Sequence, residues 1–254
     1  MIYFKEYFKG EELPWITFVH GAGGSSNIWY KQIKSFSKHF NLLLIDLRGH
    51  GKSQESNYNH SYSMELVCED VINVLEHLNI KQSHFIGISL GTLLINHIIQ
   101  RFPDRVDKVI HGGAVSEINL KGKILFNLGK FFGLLISYMF IYKVLAYVIM
   151  PKINHKESRK IFIKEARSIK RKEFIKWINL MEIIKNKLSE DYFYSSTKIC
   201  FISGIDDHMF VHSIQNLKSL GSKAQFNFIQ NCGHVVNIQR ANRFNEIALK
   251  FLLD

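Results

Sequence analysis

The chain has 254 residues, of which 46% are hydrophobic and 22% charged, and its formal net charge is +11. This length suits one globular domain with a core of ample size and an insertion, and the lack of internal repeats and low-complexity tracts excludes repeat architectures. The three cysteines are odd in number and lie in apolar or site-like contexts, so a disulfide framework is not expected. Without a signal-peptide pattern at the N-terminus, a cytoplasmic protein is predicted.

The first predicted elements are strands that end in loops of small residues. Residues 1–6 alternate like a first strand, and the apolar residues 15–19 form a buried one. The buried strand runs into His-Gly-Ala-Gly-Gly at 20–24, where small side chains let the backbone curl back over a site. A further strand at 42–46 leads into Leu-Arg-Gly-His-Gly-Lys-Ser at 47–53.

The next element carries the most informative motif. Residues 87–91 read Gly-Ile-Ser-Leu-Gly, directly after an apolar run at 84–86 and before a helix-like run at 92–99. A strand, a G-x-S-x-G turn and a helix are the signature of a nucleophile elbow. Both glycines are expected because the turn is too tight for a Cβ atom. The turn would project the Ser89 hydroxyl from the sheet edge, with the backbone N–H of Leu90 beside it.

Two later strands lead into an acid and a histidine. Residues 199–203 form a strand that opens into Gly-Ile-Asp-Asp at 204–207, and residues 226–229 form one that opens into Asn-Cys-Gly-His at 231–234. The chain order is therefore serine, acid, histidine. This order differs from those of the chymotrypsin and subtilisin triads and is typical of one other architecture.

With these motifs the chain resembles the α/β-hydrolase superfamily, in its serine-nucleophile, esterase/lipase-like branch with a helical cap. The resemblance covers residues 1–114 and 196–254, and residues 115–195 are predicted to form the inserted helical cap. It implies an α/β fold in which a mostly parallel sheet is flanked by helices. A small departure is Thr92, which follows the elbow where many relatives have glycine, and which we expect not to touch the catalytic residues.

The resemblance also implies a role for each site residue. Ser89 would be the nucleophile and His234 the general base. The family's acid usually stands three residues after the strand-end glycine, which selects Asp207 over Asp206. Two backbone N–H groups would bind the oxyanion, those of Ala22 and Leu90. Three further residues are expected to organise loops rather than to take part in the chemistry: His20, Asp46 and Arg48.

The inserted segment carries all of the excess charge. Residues 117–189 contain 16 Lys and Arg and five Asp and Glu, and the rest of the chain is neutral. Helical spacing is evident at 156–169 and 172–188, with apolar positions on one face and cations on the others. The uncharged run at 131–142 has twelve residues, fewer than the roughly 18–20 that span a bilayer. The simpler interpretation is that this segment is a cap over the pocket. A second interpretation is that the cap also makes peripheral contact with anionic lipid through its cationic faces.

The sequence therefore predicts a hydrolase that cleaves a carboxylic ester or thioester with an apolar acyl group through an acyl-enzyme. One alternative is a carbon–carbon bond hydrolase or a lyase acting on a small acidic metabolite, and another is a triad-bearing ligand sensor. The acidic-metabolite alternative requires cap cations inside the pocket, with Arg159, Arg167 and Arg171 as candidates. No metal-ligand spacing, phosphate-binding loop or nucleic-acid motif is found, so no metal, cofactor or nucleic-acid partner is predicted.

Overall fold

The computed structural model describes residues 1–55, 62–116, 137–184, 196–219 and 223–254. These residues form one sheet of seven strands. In chain order the strands are β1 Phe4–Tyr7, β2 Trp15–Val19, β3 Asn41–Ile45, β4 Ser83–Ile88, β5 Val106–Gly112, β6 Lys198–Gly204 and β7 Gln225–Ile229. The central strands β3 and β4 are buried along their whole length, which explains their nearly continuous apolar sequences.

The strands lie in the order β1-β3-β2-β4-β5-β6-β7. Only β1 is antiparallel to its neighbour, β3, within this sheet, and the other pairs are parallel. Strand β2 lies between β3 and β4, so the chain changes direction across the sheet at this point. In such sheets a crevice opens at the carboxyl ends of the strands. The loops after β2 and β4 therefore meet there, with Val19 paired to Gly87 at the strand ends.

Helices cover both faces of the sheet. In the described residues they are α1 Tyr30–Phe36, α2 Met64–His77, α3 Leu90–Arg101, α4 Tyr138–Ile149, α5 Lys156–Ala166, α6 Arg171–Ile184, α7 Val211–Ser219, α8 Val236–Gln239 and α9 Ala241–Leu253. Helices α2, α3 and α7 bury their apolar residues in one core, and α1, α8 and α9 in another. Strand β3 serves both cores, because Leu43 and Ile45 point to the first and Leu42 and Leu44 to the second. The predicted α/β fold with a mostly parallel sheet flanked by helices is confirmed.

Several predicted element boundaries were wrong. The C-terminal residues form two helices that break at Arg240, whose φ of −128° and ψ of 49° are not helical. Helix α5 ends at Ala166 rather than at 169. Parts of two predictions, the apolar run at 131–136 and the helix end at 185–188, lie outside the described residues. No helix in the described part of the chain is long and apolar enough to cross a bilayer.

Helices α4 to α6 are inserted between β5 and β6 and are fastened to the rest of the protein by polar contacts. The ammonium group of Lys152 lies 2.6 Å from a carboxylate oxygen of Asp206. The indole N–H of Trp177 donates to the carbonyl of Arg48 at 3.0 Å. The helices also pack on one another through a small apolar cluster of their own: Ile141, Tyr142, Ala166, Ile169 and Phe174.

Candidate active site

Ser89 occupies a strained turn between β4 and α3. Its φ of 53° and ψ of −117° are rare for a residue with a side chain. A Cβ atom on Gly87 would lie 2.9 Å from the carbonyl carbon of Gly91, and one on Gly91 would lie 2.9 Å from the carbonyl oxygen of His20. Glycine is therefore required on both sides of the serine for steric reasons, as the G-x-S-x-G pattern predicts. Ser89 itself is half-buried and faces the central cavity.

Thr92 holds this turn in place. Its hydroxyl donates to the carbonyl oxygen of Ser89 at 2.7 Å, and its backbone N–H donates to the same oxygen at 2.9 Å. The Thr92 oxygen also accepts the N–H of Val115 at 3.4 Å. The expectation that Thr92 has no contact with the catalytic residues was therefore wrong. The physical reason is that a threonine in the first turn of a helix can fold its hydroxyl back onto a carbonyl three residues earlier.

Asp207 and His234 are joined by a buried hydrogen bond. Nδ1 of His234 lies 2.8 Å from Oδ2 of Asp207, and the two side chains are 4% and 1% exposed. The adjacent Asp206 points away and pairs with Lys152, whose hydrogen bond to the carboxylate lowers the pKa of Asp206 below its ordinary value. The structure thus brings Asp207, and not Asp206, to the histidine.

The backbone around each partner fixes this geometry. The N–H of Asp207 donates to the carbonyl of Gly204 at 3.1 Å, and its own carbonyl accepts the N–H of Val211 at 2.9 Å, where α7 begins. The ring of His234 packs against that of Phe210, with 5.0 Å between centroids. The imidazole is therefore held by a carboxylate at Nδ1 and by an aromatic neighbour. Nε2 is the ring nitrogen that does not bind Asp207.

Two neutral histidines organise the loop after β2. Nδ1–H of His20 donates to the carbonyl of Gly21 at 2.8 Å, and its Nε2 accepts the N–H of Leu47 at 3.0 Å. His50 lies 4.9 Å from His20 between ring centroids, and its Nε2 accepts the N–H of Gly23 at 3.0 Å. Burial lowers the pKa of His20, and burial together with His20 lowers that of His50 to about 3. Both rings therefore stay uncharged and serve as fixed hydrogen-bonding braces on either side of Ala22.

Asp46 and Arg48 tie other loops together, as expected. The carboxylate of Asp46 accepts the backbone N–H of Ser26 at 2.6 Å and that of Lys52 at 2.8 Å. The guanidinium of Arg48 forms a two-pronged pair with Asp70 at 2.6 and 2.7 Å. Neither side chain lies among the described residues that line the cavity. Their role in the structure is to hold the loop after β3 in place.

A cavity of about 200 Å³ lies between the sheet with its loops and the inserted helices. On the core side, Ala22, Ser89, Leu90 and His234 line it. The facing walls come from α4 to α6 and the turn between α5 and α6, and are almost entirely apolar: Tyr142, Leu145, Ile149, Ile161, Phe162, Ile169, Phe174, Trp177, Ile178 and Met181. The four predicted groups thus face one apolar chamber, and Asp207 lies behind His234.

Charge is scarce in this chamber. Among the described residues that line it, none is lysine or arginine, and the carboxylate of Glu165 is the one acidic group. Glu165 accepts the hydroxyl of Ser25 at 2.5 Å, which fastens α5 to the loop after β2. The three cap arginines considered from the sequence do not line the chamber, and Arg159 instead donates to the carbonyl of Lys152 at 2.7 Å.

The cysteines take no part in the site. All three are buried and free, and burial raises the pKa of the Cys232 thiol to about 12, which keeps it protonated. Within the described residues, no group of three or more His, Cys, Asp and Glu side chains is arranged to hold a metal ion. Three residues make contacts at the site that the sequence did not predict: His50, Thr92 and Trp177. His50 lies inside a motif the sequence displays, whereas nothing in the sequence pattern marks Trp177.

Comparisons with known proteins are consistent with this arrangement. A model of the alpha/beta hydrolase fold family matches residues 14–241. The 3-oxoadipate enol-lactonase 2 of Acinetobacter baylyi is 32% identical over 111 residues, which cover 44% of this chain and 41% of that protein. The chain therefore spans less than half of the length of this curated relative.

Solved structures share the architecture over nearly the whole chain. Bromoperoxidase from Bacillus anthracis superposes with a TM-score of 0.85 at 19% identity, covering 100% of this chain and 95% of that one. The enol-lactonase from Burkholderia xenovorans superposes with a TM-score of 0.79 at 20% identity, covering 100% and 96%. At these identities the likeness shows a shared fold.

Proposed function

The chain belongs to the alpha/beta hydrolase fold family, and on that premise we propose that it is a serine hydrolase that cleaves a carboxylic ester or thioester with an apolar acyl group. The observation that carries the proposal is the 2.8 Å hydrogen bond between His234 and Asp207, made behind an apolar cavity that Ser89 and His234 both line. A buried carboxylate on Nδ1 leaves Nε2 of the imidazole to act as a base toward the cavity.

In the proposed mechanism the Ser89 hydroxyl attacks the carbonyl carbon of the substrate while Nε2 of His234 accepts the hydroxyl proton. Asp207 keeps the imidazole in the required tautomer and stabilises the imidazolium, without taking the proton itself. The strained backbone of Ser89 supports this role, because such strain persists only where the surrounding structure imposes it.

The negative charge that develops on the carbonyl oxygen needs donors. We assign the backbone N–H groups of Ala22 and Leu90 to this role, since both residues line the cavity beside Ser89. The loop that carries Ala22 is braced by His20 and His50, so its donor would be fixed before the substrate arrives. Preorganised donors of this kind typically contribute about 10²–10³ in rate each.

The remaining steps expel the alcohol or thiol and then release the acyl group. The proton on His234 passes to the leaving alcohol or thiol as the carbon–oxygen or carbon–sulfur bond breaks, and the acyl group stays on Ser89. Water, deprotonated by Nε2 of His234, then attacks the acyl carbon. The bond to the Ser89 oxygen breaks, the carboxylic acid leaves, and the proton passes from His234 back to the serine. One histidine serves both half-reactions because it returns to the neutral state after each.

The walls of the cavity point to a neutral, apolar acyl group. The Acinetobacter relative is named as a lactonase, and a lactone is a cyclic ester, which supports ester chemistry. That name also refers to a carboxylate, and a buried carboxylate needs a cationic or hydrogen-bonding partner. In this chain the described lining residues include no lysine or arginine and do include the carboxylate of Glu165. This argues against the acidic-metabolite alternative, since an anion in an apolar chamber without a cationic partner is costly.

We further propose that residues 115–195 act as a cap on a core made of residues 1–114 and 196–254. Helices α4 to α6 supply most of the apolar wall that faces Ser89, which supports the assignment. The contacts of Lys152, Glu165 and Trp177 with the core would hold the cap in a closed position. We also retain the proposal that the basic cap contacts anionic lipid.

The test is turnover of p-nitrophenyl esters of graded chain length by the purified protein and by the Ser89→Ala variant. The proposal expects many turnovers per protein molecule, a preference for acyl chains longer than acetate, and loss of activity in the variant. A single slow turnover would favour the sensor alternative. Equal activity of the variant would remove Ser89 from the mechanism.

A further inference from the structure

Helix α4 exposes apolar side chains on the face turned away from the cavity. Four of them are exposed in the spacing i, i+4, i+7 and i+8, which places them on one side of the helix: Phe140, Val144, Tyr147 and Val148. The opposite side of the same helix lines the cavity through Tyr142, Leu145 and Ile149. We name the exposed set the α4 stripe.

The α4 stripe contains two strongly exposed aromatic side chains. Phe140 and Tyr147 are 57% and 60% exposed, and Ile153, in the turn after α4, is 91% exposed. Single exposed apolar residues are common on protein surfaces and need no explanation. Four exposed apolar side chains on one side of a helix, two of them aromatic, indicate an interaction surface instead.

Cations surround the stripe. Lys143 is exposed and lies three residues after Phe140 and four before Tyr147, on the same side of α4. The guanidinium of Arg159 lies 4.8 Å from the ring centroid of Tyr147. Exposed lysines continue along α5 at positions 156 and 160, whereas Lys152 in the turn before α5 pairs with Asp206. The acid nearest to them in sequence, Glu157, pairs with Lys31 at 2.7 Å.

We propose that the α4 stripe docks on the surface of an anionic lipid bilayer. An apolar helix face flanked by lysine and arginine suits this partner, because the apolar side chains enter the headgroup boundary while the cations meet lipid phosphates. A second copy of the chain is a poorer fit. A two-fold interface would set this patch against itself and bring like charges together.

Residues 117–136 of the same chain also fit the α4 stripe less well than an anionic bilayer does, because their net charge is positive. That segment contains three lysines and one glutamate and would add cations to a surface that already has an excess of them. The inference rests on the proposed esterase function and extends it to the source of the substrate. Because α4 lies between the stripe and the cavity, docking would place the apolar wall of the cavity next to a bilayer that can hold apolar esters.

The experiment uses the full chain and vesicles of phosphatidylglycerol or phosphatidylcholine, with binding measured by co-sedimentation at low and high salt. The variant is Phe140→Ser with Tyr147→Ser, since serine has nearly the helix propensity of phenylalanine and tyrosine. The matched control is Leu253→Ser, because Leu253 is 57% exposed on α9. We expect wild type to bind phosphatidylglycerol far more tightly than phosphatidylcholine and to be released by salt. The double variant should lose about tenfold or more in affinity, and the control should bind like wild type.

The opposite results would overturn the proposal. The proposal is wrong if wild type binds phosphatidylglycerol and phosphatidylcholine vesicles equally, or if the double variant binds phosphatidylglycerol vesicles as tightly as wild type does. A double variant that melts at lower temperature, in a protein that does not bind vesicles, would show that the chain itself covers the stripe. A wild-type dimer that the double variant dissociates, without vesicle binding, would identify a second copy. Hydrolysis of a water-dissolved p-nitrophenyl butyrate without vesicles tests the proposed function separately, so the two failures are distinguishable.

Discussion

Oδ2 of Asp207 lies 2.8 Å from Nδ1 of His234, although the two residues are 27 positions apart and follow different strands, β6 and β7. The parallel pairing of these strands brings their carboxyl ends together and so creates the contact. A carboxylate oxygen only accepts hydrogen bonds, which fixes the proton of the neutral imidazole on Nδ1. The basic nitrogen is then Nε2, and His234 lines the same cavity as Ser89.

The first prediction separates the two adjacent aspartates. Asp207→Asn should lower kcat by about 10³–10⁴, the cost seen when a triad acid loses its charge. The matched control is Asp206→Asn, which alters the contacts with Asn154 and with Lys152, a side chain that is 55% exposed, and should change kcat little. Steady-state kinetics on one ester compare them. A large loss in the Asp206 variant with none in the Asp207 variant would reverse the assignment.

The second prediction concerns the hydroxyl of Thr92. Thr92→Val keeps the shape of the side chain but removes the 2.7 Å hydrogen bond to the Ser89 carbonyl. We expect the free energy of unfolding to fall by about 1 kcal/mol and kcat to fall with little change in KM, because the position of the nucleophile is affected. Thr92→Ser keeps the hydroxyl and should retain most of both. If Thr92→Val and Thr92→Ser have the same free energy of unfolding and the same kcat, the hydroxyl has no role and Thr92 acts through packing alone.

The third prediction uses the two faces of α4. Leu145 lines the cavity, whereas the adjacent Val144 is exposed on the other side of the helix. Leu145→Trp should fill part of the acyl site and lower kcat/KM for p-nitrophenyl octanoate about tenfold or more relative to the acetate ester. Val144→Trp should leave the ratio of the two substrates unchanged. An unchanged ratio in the Leu145 variant would place the acyl group elsewhere.

The fourth prediction is a pH dependence of stability. Burial lowers the pKa of His111 in the folded protein to about 3 from an ordinary value of 6.5. Between these two values the unfolded chain binds a proton that the folded protein does not, so the free energy of unfolding falls as the pH is lowered. Above pH 6.5 the ring is neutral in both states and contributes no slope. One such group gives about 1.4 kcal/mol per pH unit.

His111→Gln removes this titration and keeps a group able to reach Asn96, the 3.0 Å partner of the His111 ring. Urea unfolding between pH 4 and 6.5 should therefore show a shallower loss of stability in the variant than in wild type. His50, whose pKa is also about 3, continues to contribute in both proteins. Parallel curves for wild type and variant would contradict the prediction.

The sequence predicts the sheet well because buried strands depend on local patterns, and the pairing of Asp207 with His234 follows from the sheet. Buried parallel strands read as apolar runs, and the glycines at 87 and 91 are required by contacts that any such turn would make. The choice of Asp207 over Asp206 comes from the resemblance, since the family's acid usually stands three residues after the strand-end glycine.

Other features depend on tertiary contacts that no local pattern encodes. The break at Arg240 interrupts a stretch whose composition is helical throughout. The contact between Thr92 and the Ser89 carbonyl depends on the rotamer chosen in a crowded turn. Apart from Lys143, helix α4 looks apolar on all sides in sequence, so only its packing reveals that one side walls the cavity and the other is exposed.

The central claim is that Ser89 becomes covalently acylated, and the most direct measurement is a fluorophosphonate reaction followed by mass spectrometry of the intact protein and its peptides. The account predicts one adduct per chain in wild type, located on the peptide that contains Ser89, and no adduct in Ser89→Ala under the same conditions. His234→Ala should react far more slowly, because its serine lacks a base. An adduct of equal yield on another residue of the Ser89→Ala protein would contradict the account.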